Sequence, residues 1–238
     1  LEVLSRGTIT HSANTSSEAN KLTLTVGSNL TIDVGGQINV DGRGYAAANG
    51  PGTRIGDSAA GSYGGRGGRE AAASYSGPTY GSITAPTNLG SGGRDQPGGG
   101  AVRLIVSGTT TVHGAISAGG REGAYHVGSG GSAFLTTGVL TGNGTIRANG
   151  ASGNSSGGGG RIAVILTNAT DLGAVRIQAF GGVTTSKGAA GTVYMQTSSQ
   201  GPGRGTLLID ANNIVSADAS FNTLINSNVT DTVVGTVI

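Results

Sequence analysis

Apolar and polar residues alternate along short stretches of this chain. Leu22, Leu24 and Val26 fall on one side, with Thr23 and Thr25 opposite. Leu30, Ile32 and Val34 repeat the pattern, followed by Ile38 and Val40. A period of two marks strands with one buried face. No stretch carries the 3.6-residue period of a helix, and the Gly, Asn and Ser between the runs would destabilise one. The pattern predicts an all-β chain.

The runs recur. Gly-x-apolar-x-apolar-x-small appears at Gly36 to Gly42, Gly114 to Gly120, Gly144 to Gly150 and Gly173 to Ala179. Its first apolar residues are Ile38, Ile116, Ile146 and Val175, the last three 30 and 29 residues apart. A second motif keeps step, with Val102, Ala133, Ile162 and Val193 spaced by 31, 29 and 31 residues. Lys21 to Val26 is an earlier copy, and Gly205 to Asp210 extends the series. Two markers sharing one period predict a solenoid whose coils pair strand on strand over a continuous aliphatic core. The expected fold is a single right-handed parallel β-helix of about six coils of about 30 residues each, spanning residues 1–238. Ile116, Ile146 and Val175 should stack inside it. Arg103, Arg147, Arg161 and Arg176 should face outward, with Arg147 directly over Arg176. A β-sandwich also uses many short strands, but it has no need of the same strand pair in every coil.

The variable segments fall at one phase of the repeat: 43–99, 121–130, 151–159 and 180–190. Such links emerge from one edge of a solenoid, often its binding face. The long insertion at 43–99 contains four of the six tyrosines and five arginines. A loop of this length either folds over the side of the helix or moves freely. Runs such as Gly64 to Gly68 and Gly157 to Gly160 suit extended, polyproline-II-like segments that pack closely, and the other glycines suit corners.

Composition narrows the function. Glycine supplies 48 of 238 residues, without the strict triplet period of collagen. Charged residues are 11% and the net charge is +2, too little for a nucleic-acid-binding surface. The 12 arginines against 2 lysines favour planar anionic partners. Without cysteine there are no disulfides or thiolate metal sites, and no apolar run is long enough for a membrane span. The chain starts at Leu1 and ends on an apolar run from Val233 to Ile238, which reads as a piece of a longer chain with neighbouring domains as partners.

The Gly-x-Ile-x-Ala-x-Gly recurrence, the glycine-rich turns and the stretch from Gly158 to Val164 resemble right-handed parallel β-helix proteins. Bacterial surface adhesins, autotransporter passenger domains and phage or polysaccharide-processing β-helices are of this type. The resemblance covers residues 20–215. It implies an extracellular or cell-surface module that binds or cleaves polysaccharide, or acts as a rigid adhesive spacer.

Candidate chemistry follows from the loops. Tyrosine rings stack on sugars and arginine pairs with the acid groups of anionic glycans. The expected ligand-binding residues are Arg43, Tyr45, Tyr63, Arg66, Arg69, Tyr75, Tyr80, Arg94, Arg121, Tyr125 and His126. The competing reading is that the arginines solubilise a glycine-rich loop and the tyrosines pin it to the coil. His11, His113 and His126 form no metal pattern. Asp33 and Asp41 could approach Asp57 or Asp95, the kind of cluster in which pectate-lyase-like β-helices hold calcium. The spacing is too sparse to indicate such a site, and Asp33 and Asp41 suit turns, so no cofactor is expected. No nucleophile elbow and no phosphate-binding loop is present. The functional expectation is a non-catalytic adhesive module that binds a polysaccharide or cell-surface glycan. A β-helix polysaccharide lyase or hydrolase is the alternative. Thr23, Thr25 and Thr31 lie near one another, but later coils keep no threonine ladder, which argues against ice binding.

Overall fold

The computed structural model describes residues 1–70, 74–216, 218, 221–231 and 234–238. Among these there is no α-helix. The strands are β1 (Glu2–Val3), β2 (Thr8–Ile9), β3 (Leu22–Val26), β4 (Leu30–Ile32), β5 (Gln37–Asn39), β6 (Ala101–Val112) and β7 (Ala115–Ser117). They continue as β8 (Ser132–Thr141), β9 (Thr145–Arg147), β10 (Arg161–Leu166), β11 (Arg176–Gln178), β12 (Thr192–Gln196), β13 (Thr206–Leu208) and β14 (Thr236–Val237). The chain winds as a parallel β-solenoid of about 7 turns of roughly 31 residues.

Two sheets line the coils. The larger has nine strands, with β4, β6, β8, β10 and β12 as parallel neighbours and β3 paired beside β4 on β6. The smaller runs β2, β5, β7, β9, β11. Register follows the repeat closely in the larger sheet. Leu22 pairs with Val102, Val102 with Ala133, Ala133 with Ile162 and Ile162 with Val193. In the smaller sheet Ile38, Ile116 and Ile146 stack as expected, and Ile9 adds a rung before Ile38. Ile38, Ile116 and Ile146 are buried in one cluster with Leu30, Ile32, Leu104, Leu135 and Ile162.

Four expectations need correction. Ile177, not Val175, pairs with Ile146, so Arg176 lies beside Thr145 and Arg147 beside Gln178. Val34 is 73% exposed, because β4 ends at Ile32 and Gly35 turns the chain with φ of 80°. Thr206–Leu208 does not extend the parallel series. It runs antiparallel to β12 after a Gly201-Pro202-Gly203 turn, and β14 then adds to it in parallel. Arg161 faces out of the coil yet is fully buried, because the insertion covers it. Of the terminal apolar run, Val233 lies outside the described residues.

The insertion packs on the outer face of the larger sheet. Ile83 joins Phe134, Ala163, Tyr194, Leu207 and Val229 in a second buried cluster. The Tyr63 hydroxyl is 2.7 Å from Ser132 Oγ on β8. Arg161 Nε donates to the Tyr80 carbonyl at 2.9 Å, and its guanidinium lies 5.5 Å from the centre of the Tyr63 ring. The C-terminal segment secures the other side: the Asp231 carboxylate accepts from Ser82, Ile83 and Thr84, and Arg69 pairs with Asp218.

The glycine-rich links form a layer of their own. Residues 157–159 bond to three different neighbours rather than the two a strand has in a sheet. Gly157 N donates to Ala151 O within the same coil, Gly158 N to Gly61 O of the insertion, and Gly159 N to Ala189 O of the next coil. These glycines do not have positive φ. They are required by proximity: a Cβ on Gly157 would lie 2.0 Å from Gly128 O, and one on Gly188 2.0 Å from Gly157 O. Most link glycines thus permit close backbone contact, and only some serve the corners.

Candidate functional site

The site is built at the corner that follows each strand of the smaller sheet. Val40, Ala118 and Ala148 are buried just past β5, β7 and β9. The ladder continues beyond them: Gly42 N donates to Gly119 O, and Gly120 N to Asn149 O. Asp41, Gly119 and Asn149 therefore occupy equivalent places on three successive rungs. Two residues later stand Arg43, Arg121 and Ala151.

These corners open onto a groove of about 700 Å³, a volume typical of ligand sites. Ala13 and Asn14 of the N-terminal segment and Ala46, Ala47 and Pro97 of the insertion form its walls. Asn14 is buried, and its amide donates to the Arg43 and Asn20 carbonyls, which fixes the main chain that carries Arg43.

The charges in the groove are not equally available. Asp41 accepts from Ser117 Oγ and Gly119 N, and its Oδ2 lies 3.6 Å from Arg147 Nη2. Arg147 Nε donates to Ser117 Oγ at 2.8 Å. Glu122 accepts from Ser152 N at 2.7 Å. Arg43 and Arg121 are exposed, and among the described residues neither has a carboxylate at ion-pairing distance. Asp41 is engaged by its neighbours on the coils, whereas Glu122 is exposed with one bond to Ser152 N, and Arg43 and Arg121 are exposed as well.

The other expected site residues lie elsewhere. Tyr45, Tyr63 and Tyr80 are buried and present no ring face to a ligand. Burial pushes the Tyr63 phenol up to about 12, and it drives Tyr80 well above its ordinary value. Tyr45 also rises to about 12, from burial and from Glu18, to which its hydroxyl donates. Tyr63 ties the insertion to β8 through Ser132 and Tyr45 ties it to Glu18, whereas the Tyr80 hydroxyl bonds Leu89 O and Ser91 Oγ within the insertion. Arg66 donates to the Ser76 carbonyl. Arg69 lies 5.1 Å from the centre of the exposed Tyr75 ring. Arg94 pairs with Asp95 and donates to Asp57 O.

Tyr125 is exposed on the second link, away from the groove. His126 is buried beside it, its main-chain N donating to Asp95 and its Nδ1 without a partner. Burial lowers its pKa, assisted by Arg94, against smaller opposing effects of Glu70 and Asp95. Of the expected residues, Arg43 and Arg121 line the groove, while Arg69 meets Tyr75 and Tyr63 meets Tyr80 away from it.

Arg147, Asp41 and Asn14 are groove residues that the loop-centred reading passed over. A signal for the arginine pair was present, since Arg43 and Arg121 each stand five residues after the stacked Ile38 and Ile116. Asp57 pairs with Arg54 rather than approaching Asp41. Among the described residues, no group of three or more His, Asp or Glu is arranged to hold a metal ion. No helix there is long and apolar enough to cross a membrane.

Comparison with known proteins found no matching family, no curated relative and no solved structure of significant similarity.

Proposed function

We propose that this chain is an extracellular, non-catalytic adhesive module that binds carbohydrate in the groove at the coil corners. One observation carries the reading: Arg43 and Arg121 line a ligand-sized groove and, among the described residues, have no carboxylate at ion-pairing distance, while Asp41 in the same groove is taken up by Ser117, Gly119 and Arg147. Arginine presents a rigid fork of donors that matches acid groups. The alanine and proline walls supply apolar surface for sugar rings. The flanking stack of coils gives a rigid support, so little ordering is needed on binding.

A second reading, a polysaccharide lyase or hydrolase, draws on Asp41 and Arg147 lining the same groove. Both side chains are already committed to each other and to Ser117, and this ranks the binding reading first.

The test is retention on an array of neutral and acidic oligosaccharides. Wild type and the control Arg176→Ala should bind, and an Arg43→Ala/Arg121→Ala double variant should lose at least about tenfold in affinity. Binding unchanged in the double variant would place the ligand elsewhere, and no retained glycan would contradict the proposal. Unsaturated products released from an acidic polysaccharide would favour the lyase.

A further inference from the structure

We infer that His11 couples the groove to pH: an acid group bound at Arg43 is taken up together with a proton on the His11 ring. This rests on the carbohydrate reading above and adds how that binding is regulated.

His11 is packed against the corner that carries Arg43. Its Nε2 accepts from Ala101 N at 3.3 Å, at the head of β6, and its Nδ1–H donates to Ser12 O at 2.8 Å. A Cβ on Gly100 would lie 2.5 Å from His11 Nε2 and 2.8 Å from Val40 Cβ, so the ring and the corner press on one glycine. From Val40 the chain turns tightly, with Arg43 N donating to Val40 O. The segment after His11 meets the corner again at Asn14, whose amide donates to Arg43 O at 2.8 Å. Ala13 and Asn14 then wall the groove beside Arg43.

The two bonds to the ring select its neutral form. A proton on Nε2 would face the Ala101 N–H, and two donors repel each other. Ser12, Val40, Gly100 and Ala101 bring no titratable side chain to the ring. Burial opposes the charged ring most, the Ser12 carbonyl favours it, and the Arg43 guanidinium opposes it. Arg43 is the contribution that a ligand in the groove can offset. An acid group paired with Arg43 cancels part of the field at His11, so the ring takes a proton more readily in the complex than in the free protein. By linkage, binding then tightens as pH falls.

The test uses the whole chain and a galacturonate trisaccharide. Wild type should bind about two- to fivefold more tightly at about pH 5.5 than at about pH 7.5, a range in which the sugar carboxylates stay ionised. Calorimetry near pH 6 in buffers of different ionisation enthalpy should show net proton uptake on binding. His11→Gln offers an acceptor to Ala101 N but does not titrate, and should lose both the uptake and the pH trend. His113→Gln, whose native ring bonds Asn143 away from the groove, should keep both. A titration of the His11 ring by NMR needs no ligand: its pKa should be higher in Arg43→Ala than in wild type.

An unchanged His11 titration in Arg43→Ala would overturn the coupling, whether or not His11→Gln folds. Binding without proton uptake would overturn it and leave carbohydrate binding intact. Uptake that persists in folded His11→Gln would assign the proton to a groove carboxylate and contradict the role of His11. Failure of the trisaccharide while another array glycan binds would overturn this inference alone, whereas an array with no retained glycan contradicts both.

Discussion

A glycine in this chain has one of two meanings, and the neighbouring backbone decides which. At Gly157 the adjacent coil is too close for any side chain, whereas at Gly27 nothing lies within 4 Å. Gly157→Ala should therefore destabilise by about 1–3 kcal/mol through overpacking. Gly27→Ala should stay within about 0.5 kcal/mol of wild type. Denaturant unfolding of the two variants measures the difference. The distinction is illegible in the sequence, because a packing glycine and a surface glycine are written alike.

The histidines also belong to this scale. His11 Nε2 accepts from Ala101 N, while its Nδ1 lies 2.8 Å from Ser12 O, a pair of contacts that suits the neutral ring. Burial lowers its pKa, aided by Arg43 and opposed by the Ser12 carbonyl. His126 shifts the same way. A lowered histidine pKa means that the unfolded chain binds the proton first. Stability from these residues is full above the unfolded value of about 6.5 and falls as pH drops through it. The thermal midpoint should decrease from pH 7 to pH 5, and an increase would contradict the assignment.

At the scale of strands, the aliphatic ladders hold the coils together. Ile146 is 1% exposed and stacked between Ile116 and Ile177, whereas Val34 stands in solvent. Ile146→Ala should cost about 2–5 kcal/mol and Val34→Ala almost nothing, as read by chemical unfolding. The ladder was legible because burial selects isoleucine or valine at a fixed phase. The last rung of the smaller sheet was misread by two residues. Val175 and Ile177 are both apolar and on the same side of the strand, and a slip of two keeps every side chain on its face. Alternation alone cannot detect such a slip. The reversal at β13 was hidden for a similar reason, since a strand reads the same in parallel and antiparallel pairing.

For the whole molecule, the long insertion and the glycine-rich links shape the groove. The tyrosines of the insertion were legible as special but not as buried, since their partners, such as Ser132 and Glu18, are distant in sequence. The groove was partly legible through Arg43 and Arg121. Its walls come from segments with no shared pattern, including Ala13, Ala46 and Pro97. The groove is framed by glycine-rich links that form a hydrogen-bonded layer rather than loose loops. Native-state hydrogen exchange tests this directly. The amides of Gly61, Gly130, Gly158, Gly159 and Ala189 all donate to carbonyls in the layer and should exchange as slowly as those of β6. Exchange of these amides at the rate of an unstructured chain, with β6 still protected, would contradict it.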